Sequence, residues 1–416
     1  MPGPLTLTQM RVLLLNGPNL NLLGTRRPEV YGSTTLAELE QLATVWATQL
    51  GIDDLDTFQS NHEGRLIDRI HAARGETDGI VFNPGAFTHT SYALHDAIEA
   101  VGIPTVEIHI SNVEEREGWR RQSVIRPACV HTIYGRGIDG YRWALRHLHA
   151  RAARAVQRLS SGTSPEQFAD LRLPGGSPAS DLVDPARMRI GSTMQTGDGP
   201  YPLVVTVHGG FWRHQWTRDT IEMSALDLVD RGVASLNVEY RRVGAAGGGG
   251  GGSASVEDVA DAVIAELEHQ AIDAGRWAIA GHSAGGQLAL AAVPRIRAAG
   301  AAPPAVAVSL GGVVDLSAAI EQHIGEGAAS AYVGAEAPST LSPADLVPLG
   351  VPLLVAHGRD DASVPLAQSE SLAERARDAG DEVEIVLSDG GHFEFLDPSE
   401  RAWSDVADRV VKALHR

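Results

Sequence analysis

Apolar and polar residues alternate in blocks along the first third of the chain. Short apolar runs begin at residues 12 (VLLL), 78 (DGIVF), 104 (PTVEIHI) and 129 (CVHTIY), and stretches of helical periodicity lie at 35–50, 90–101 and 138–150. Short apolar runs that alternate with helices predict βαβ units, in which helices cover both faces of a parallel sheet. We therefore expect a flavodoxin-like α/β domain with a parallel sheet of five strands at residues 10–150.

A second alternation of the same kind follows a change in composition. Residues 151–163 combine an Arg-rich helix end with Ser and Gly, which predicts a linker. Six apolar runs then begin at 202, 233, 277, 305, 351 and 382, so we expect a second α/β domain at 164–416. The glycine-rich run at 244–255 predicts a mobile loop.

Composition narrows the classes of protein that fit this pattern. A chain of 416 residues exceeds the size at which single cores stop growing, which agrees with two domains. A net charge of −18 argues against nucleic acid and anionic membranes as partners. Cys129 is the only cysteine, so an intrachain disulfide is excluded. We find neither a signal-peptide pattern nor a membrane-length apolar run, and we expect a cytoplasmic protein.

The segment GHSAGG places Ser283 between an apolar strand and a helical run. This context is that of a nucleophile elbow, in which a serine sits on a sharp strand-to-helix turn. A serine nucleophile needs a base and an orienting acid, and in this architecture they follow in the order Ser, Asp, His. Asp361 and His392 follow the last two apolar runs in that order. Asp360 is an alternative acid, although the HGxxDxxVP spacing favours Asp361.

The segment HGGFW at 208–212 supplies backbone amides for an oxyanion hole after another strand. Together, HGGFW and GHSAGG resemble the α/β-hydrolase superfamily, and most closely its esterase and kynurenine-formamidase-like branch. The resemblance implies a catalytic triad and an oxyanion hole, formed by Ser283, Asp361, His392, Gly209, Gly210 and Ala284. The resemblance leaves open whether the substrate is an ester, a thioester or a formamide.

Four strand ends of the first domain are unusually polar. They are the segments at 13–32, 82–91, 106–112 and 115–121. Because the carboxyl ends of parallel strands meet at one edge of a sheet, these segments can converge on one site. Arg, Asn and Ser side chains suit a carboxylate-bearing, hydroxylated small molecule. Tyr31 is a candidate base if a cation such as Arg26 stabilises its phenolate.

The segments NGPNLNLLG, RxPEVYG, QSNHEG, NPGAFTHTS, EIHISN and REGWR resemble the type II 3-dehydroquinate dehydratases, which convert 3-dehydroquinate to 3-dehydroshikimate. The resemblance implies that Tyr31 removes the C2 proton, that Arg26 stabilises its phenolate and that Asn19 holds the water or enolate oxygen. His109, oriented by Glu107, would protonate the leaving hydroxyl. It also implies substrate contacts from Asn83, His89, Ile110, Ser111, Arg116 and Arg120, and from Asp96 of a neighbouring subunit in a trimer-based dodecamer.

The distribution of lysine limits the mechanism. The only lysine is Lys412, in the second domain, so the first domain cannot form a Schiff base and elimination through an enolate is the route left. A metal is not expected, because His62 opens HEGRL without the second histidine of HExxH. We expect no cofactor in either domain.

Three interpretations follow. The first is a bifunctional enzyme, with a dehydratase at 10–150 and a serine acyl hydrolase at 164–416. In the second, one of the domains is an inactive module that serves assembly or binding. In the third, the chain is mainly an esterase or formamidase with an N-terminal domain that serves as an oligomerisation scaffold.

Overall fold

A computed structural model describes residues 10–27, 31–111, 113, 122–152, 156–174, 200–398 and 400–415. The chain divides into two units, Met1–Ala153 and Arg154–Arg416. Arg116 and Arg120, two of the expected substrate contacts, lie outside the described residues.

The N-terminal unit contains one parallel sheet. Its strands lie in the order β2-β1-β3-β4-β5, which is the flavodoxin-like order and confirms the expected fold. The strands are β1 (Arg11–Asn16), β2 (Asp54–Gln59), β3 (Gly79–Asn83), β4 (Thr105–His109) and β5 (His131–Tyr134).

Helices cover both faces of this sheet. Thr35 and Glu38 form a capping box that begins the first helix, and the Ser91 side chain accepts a hydrogen bond that begins the third. Apolar side chains of the first and fourth helices pack on one face, and those of the second and third on the other. The helices are α1 (Leu36–Leu50), α2 (Glu63–Ala72), α3 (Tyr92–Val101) and α4 (Asp139–Ala152).

The C-terminal unit contains a mixed sheet of eight strands. The order is β13-β12-β11-β10-β8-β9-β7-β6, with β7 antiparallel to both neighbours and the other pairs parallel. This order is that of the α/β-hydrolase fold, as expected. The strands are β6 (Gln157–Ser160), β7 (Phe168–Arg172), β8 (Tyr201–Val207), β9 (Ala234–Glu239), β10 (Ile272–His282), β11 (Ala307–Leu310), β12 (Leu353–Gly358) and β13 (Val383–Ser388).

Two helical layers enclose this second sheet. Side chains of the second and third helices pack in the larger core on one face, and those of the first and last helices pack on the other. No helix of the described ranges is long and apolar enough to cross a membrane. The helices are α5 (Glu222–Asp230), α6 (Gly252–Leu267), α7 (Ala284–Ala298), α8 (Leu316–Glu321), α9 (Ala328–Val333), α10 (Pro343–Leu346), α11 (Ala367–Asp378) and α12 (Arg401–Leu414).

Two expectations about connecting segments are corrected. The linker expected at 151–163 contains β6, which pairs with β7 at the sheet edge. The mobile loop expected at 244–255 is instead a turn followed by the start of α6. The Gly250 N–H donates to the Arg242 carbonyl at 2.8 Å, and Gly248 and Gly249 adopt positive φ angles. The glycines therefore provide the backbone conformations that a tight turn requires.

Two candidate active sites

Ser283 occupies a strained turn between β10 and α7. Its φ is 55° and its ψ is −121°, a conformation that costs energy for any residue with a side chain. A Cβ on Gly281 would collide with the Gly285 carbonyl, and a Cβ on Gly285 would collide with the Val207 carbonyl. The two glycines of GxSxG therefore allow the close backbone packing that holds this turn.

Asp361 and His392 meet beside the carboxyl ends of β12 and β13. His392 Nδ1 lies 2.6 Å from Asp361 Oδ2, and the N–H groups of Ser363 and Val364 each donate to Asp361 Oδ1 at 2.8 Å. Burial opposes ionisation of Asp361, but hydrogen bonds from His357 and His392 hold its pKa well below the usual range. Of the two candidate acids, Asp361 is therefore the one whose carboxylate contacts His392, whereas Asp360 is exposed.

The HGG turn lies directly against the nucleophile. A Cβ on Gly209 would lie 2.9 Å from the Cβ of Ser283, so only glycine leaves room here. Gly210 has a φ of 106°, a conformation that favours glycine. Ala284 follows Ser283 at the buried start of α7. Gly209, Gly210 and Ala284 are therefore gathered around Ser283.

A buried polar cluster, which the sequence does not reveal, supports the HGG turn. His208 Nδ1 donates to the Gly209 carbonyl at 2.8 Å, and Nε2 lies 3.0 Å from Glu239. Tyr240 donates to the His208 carbonyl at 2.9 Å. Burial opposes ionisation of Glu239, but His208 and Arg242 lower its pKa overall. The cluster therefore holds the turn through a carboxylate that stays charged.

In the N-terminal unit, the loop after β1 carries the candidate base. The Arg26 guanidinium carbon lies 5.6 Å from the centroid of the Tyr31 ring. Asn19 has a φ of 68°, and its N–H donates to Asn61 Oδ1 at 2.9 Å. This bond ties the loop after β1 to the segment after β2, where QSNHEG lies. The arrangement places a cation against the tyrosine ring.

His109 and Glu107 form a pair on β4. His109 Nε2 lies 2.8 Å from Glu107 Oε1, and Ser123 Oγ donates to the two oxygens of this carboxylate at 2.9 and 3.0 Å. Thr88 also donates to it. Burial favours the neutral acid, but the hydrogen bond and charge of His109 and the hydrogen bond from Thr88 lower the pKa of Glu107 overall. Ser123 lies outside the motifs and was not anticipated.

The Asn83 side chain is bound by Tyr141, another residue that lies outside the motifs. Asn83 Nδ2 donates to the Tyr141 hydroxyl at 2.9 Å, and this hydroxyl donates to Asn16 Oδ1 at 2.7 Å. Burial raises the pKa of Tyr141 above its usual value, so the residue stays a phenol. In the sequence Tyr141 is indistinguishable from a core aromatic, because it lies on the apolar face of α4.

The other candidate substrate residues that the structure describes in this unit are His89, Asp96, Ile110 and Ser111. His89 Nδ1 lies 2.6 Å from the Gln122 carbonyl, and Ile110 and Ser111 directly follow β4. Asp96 is exposed on α3, where its carboxylate lies within 4.8 Å of ligand atoms of His95 and Glu99.

Fold and sites together define a two-domain α/β protein with one site at the carboxyl edge of each sheet. A family model described as dehydroquinase class II matches residues 10–149, and one described as prolyl oligopeptidase family matches residues 231–410. The catabolic 3-dehydroquinase 1 of Neosartorya fischeri is 58% identical over 137 residues, which cover 33% of this chain and 91% of that protein. The chain therefore belongs to the class II dehydroquinase family, through its N-terminal domain.

Solved structures resemble each unit separately. The type II dehydroquinase of Butyrivibrio crossotus has 45% identity and a TM-score of 0.33, and the match covers 34% of this chain and 97% of that chain. The esterase EstE5 has 20% identity and a TM-score of 0.46, and the match covers 64% of this chain and 86% of that chain. The second unit is an α/β-hydrolase domain by its strand order and family match. Its narrower resemblance to the kynurenine-formamidase-like branch stays a prediction.

Proposed function

We propose that the N-terminal domain eliminates water from 3-dehydroquinate to give 3-dehydroshikimate. The observation that carries this proposal is the Arg26 guanidinium beside the Tyr31 ring, in a domain that is 58% identical to a catabolic 3-dehydroquinase. Tyr31, as the phenolate, removes the C2 proton, and Asn19 holds the enolate oxygen or a water bound to it. His109 then protonates the departing C1 hydroxyl, while Glu107 orients its ring.

In this proposal the substrate is held by polar side chains and main-chain groups of the N-terminal domain. Amide, hydroxyl and imidazole groups bind the substrate hydroxyls, and arginines bind its carboxylate. Asp96 would act from a neighbouring subunit, in a homo-oligomer built from trimers, and a cytoplasmic location suits a small metabolite substrate. The residues assigned to binding are Asn83, His89, Ile110, Ser111, Arg116 and Arg120.

For the C-terminal domain we propose acyl hydrolysis through a covalent intermediate. His392 takes the proton of Ser283 as the oxygen attacks the acyl carbon, and Asp361 holds the ring in the required tautomer. The backbone N–H groups of Gly209, Gly210 and Ala284 stabilise the oxyanion. As the bond to the leaving alcohol or amine breaks, His392 gives that group the proton. Water, deprotonated in turn by His392, then attacks the acyl-enzyme, and the acid leaves as Ser283 regains its proton. The 2.6 Å contact between His392 and Asp361 carries this proposal, which covers esters first and formamides as the alternative.

Two single substitutions separate the two activities. With the full-length chain, 3-dehydroquinate is followed by the ultraviolet absorbance of the conjugated enone product, and p-nitrophenyl acetate by release of nitrophenolate. Tyr31→Phe should abolish only the first activity and Ser283→Ala only the second, so each variant is the control for the other. If the folded wild-type protein does not dehydrate 3-dehydroquinate, the N-terminal domain is a scaffold and the chain is mainly an esterase or formamidase.

A further inference from the structure

His282 is the last residue of β10 and directly precedes Ser283. Its side chain is buried, with 3% of the residue exposed. The ring nitrogen Nε2 lies 2.9 Å from the carbonyl oxygen of His392. Because a carbonyl oxygen only accepts hydrogen bonds, Nε2 carries a proton and donates it. The residue beside the nucleophile therefore binds the main chain of the candidate base.

The His282 ring is enclosed by parts of the hydrolase site. Its centroid lies 4.5 Å from that of His392 and 5.9 Å from that of Phe393. A Cβ on Gly209 would lie 3.0 Å from His282 Nδ1, so the HGG turn packs on the ring as well. Burial, and next the nearby His392, lower the pKa of His282 to about 3, so the ring is neutral at physiological pH. Its single N–H is the one that donates to His392.

Two hydrogen bonds hold His392, the candidate base, in place beside Ser283. The hydrogen bond to Asp361 fixes the Nδ1 side of the His392 ring, but the ring can still move with its main chain. That main chain lies between β13 and a short helical turn at Glu394–Leu396. The hydrogen bond from His282 attaches it to the residue next to Ser283. This buried hydrogen bond therefore joins the immediate neighbour of the nucleophile to the main chain of the base itself.

We propose that His282 is a positioning residue of the acyl hydrolase, which holds the His392 main chain at the distance from Ser283 that proton transfer requires. This inference rests on the proposed hydrolase function. A side chain that only filled space would need no donor, and an aliphatic residue of similar size would serve. The hydrogen-bond donor is therefore the property to test.

The test compares three substitutions in the full-length protein, with p-nitrophenyl acetate as the substrate. His282→Gln keeps an N–H donor near the position of Nε2, His282→Leu fills the space without a donor, and His282→Asn carries a donor that does not reach. Leu and Asn should lower kcat about 100-fold with little change in KM, as expected for a small misplacement of catalytic groups. Gln should retain most of the wild-type kcat. His415→Gln, at an exposed position, is the matched control.

The possible outcomes are distinguishable. Wild-type kcat in a folded Leu or Asn variant would overturn the inference, and so would equal losses in the Gln, Leu and Asn variants. If the Leu variant does not fold, as judged by its melting transition, the comparison of Gln with Asn decides. A wild-type protein whose ester hydrolysis does not depend on Ser283 would instead refute the proposed hydrolase itself.

Discussion

The His109 ring donates from Nε2 to the Glu107 carboxylate, 2.8 Å away, and both residues belong to β4. Residues two apart on a strand point to the same face, so the strand itself brings the two side chains together. Glu107 is fully buried and His109 almost so. Because Nε2 donates to the carboxylate, Nδ1 is the ring nitrogen that is available for contact with a substrate.

Glu107→Gln tests whether this pairing matters for dehydration. Glutamine keeps the size of the side chain but removes the charge that fixes the His109 ring. Loss of the partner that orients a metal-binding histidine lowers activity about 10- to 100-fold, and by analogy we expect kcat for 3-dehydroquinate to fall by a factor of this order. The KM should change little, because Glu107 lies behind the ring.

The control is Glu76→Gln, which removes an exposed carboxylate that pairs with Arg11 on the surface. It should leave dehydration unchanged. An unaltered kcat in a folded Glu107→Gln protein would show that the His109 orientation does not depend on this carboxylate.

Asp361→Asn tests the candidate acid of the hydrolase. An asparagine can donate to His392 Nδ1 and so favour the wrong tautomer, an effect known to lower kcat about 10⁴-fold in serine hydrolases. We expect a loss of this order in steady-state hydrolysis of p-nitrophenyl acetate. Asp360→Asn changes the adjacent exposed residue and should keep full activity. A loss in the Asp360 variant alone would assign the acid to Asp360.

The two sheets were predictable from apolar runs, but three of their strands were not found individually. β7 reads FADLR, and both Asp170 and Arg172 are buried within it. Asp170 accepts hydrogen bonds from Arg158 at 2.8 and 3.0 Å and pairs with Arg218 at 2.7 Å. These charged side chains meet their partners only in the folded protein. The sequence of β7 therefore lacks the apolar run by which the other strands were recognised. β2 and β6 are edge strands, with side chains that are largely exposed or half-buried.

The residues of the two candidate sites also divide into those that a local sequence pattern marks and those that only the fold brings together. Residues within compact motifs, such as Ser283 in GHSAGG or Asn83 in NPGAFTHTS, could be proposed from the sequence because the motif carries its own context. Supporting partners that lie outside any motif, such as Glu239 and Tyr141, were missed, whereas Asp361 and His392 were found through their order after Ser283. Glu239 lies 31 residues from His208, and Tyr141 lies 58 residues from Asn83. No local pattern marks such pairs, because the fold alone brings them together.

Arg172→Met tests the stability of the charged strand. Arg172 pairs with Glu222, and both side chains are about 1% exposed. Removing one partner of a buried ion pair leaves an uncompensated charge and costs about 3–5 kcal/mol. We expect the free energy of unfolding of the C-terminal domain to fall by this amount in urea titrations.

The double variant Arg172→Met, Glu222→Leu should recover much of this loss, because it removes both charges. The single and double variants together form the control. If the double variant is as unstable as the sum of its single changes, the pair does not interact energetically.

We expect Glu266 to make the stability of the C-terminal domain depend on pH. It lies in the last turn of α6 and is 4% exposed, and within the described part of the chain its Oε1 has no hydrogen-bond partner. Burial raises its pKa from the ordinary 4.5 to about 8. A carboxyl group whose pKa is raised by folding is stabilised as the neutral acid, so its contribution is most favourable below about pH 4.5. The contribution then falls by about 1.4 kcal/mol for each pH unit up to about pH 8.

Glu266→Gln keeps the side chain neutral at every pH and removes this loss. The free energies of unfolding of the variant and the wild type should be similar at about pH 5 and diverge at about pH 7. By about pH 9 the difference should level off, with the variant more stable. Glu268→Gln, two residues away and exposed, is the matched control and should not alter the pH dependence. A difference between Glu266→Gln and wild type that is constant across this range would mean that Glu266 does not titrate between the two values. Its burial would then have no electrostatic cost.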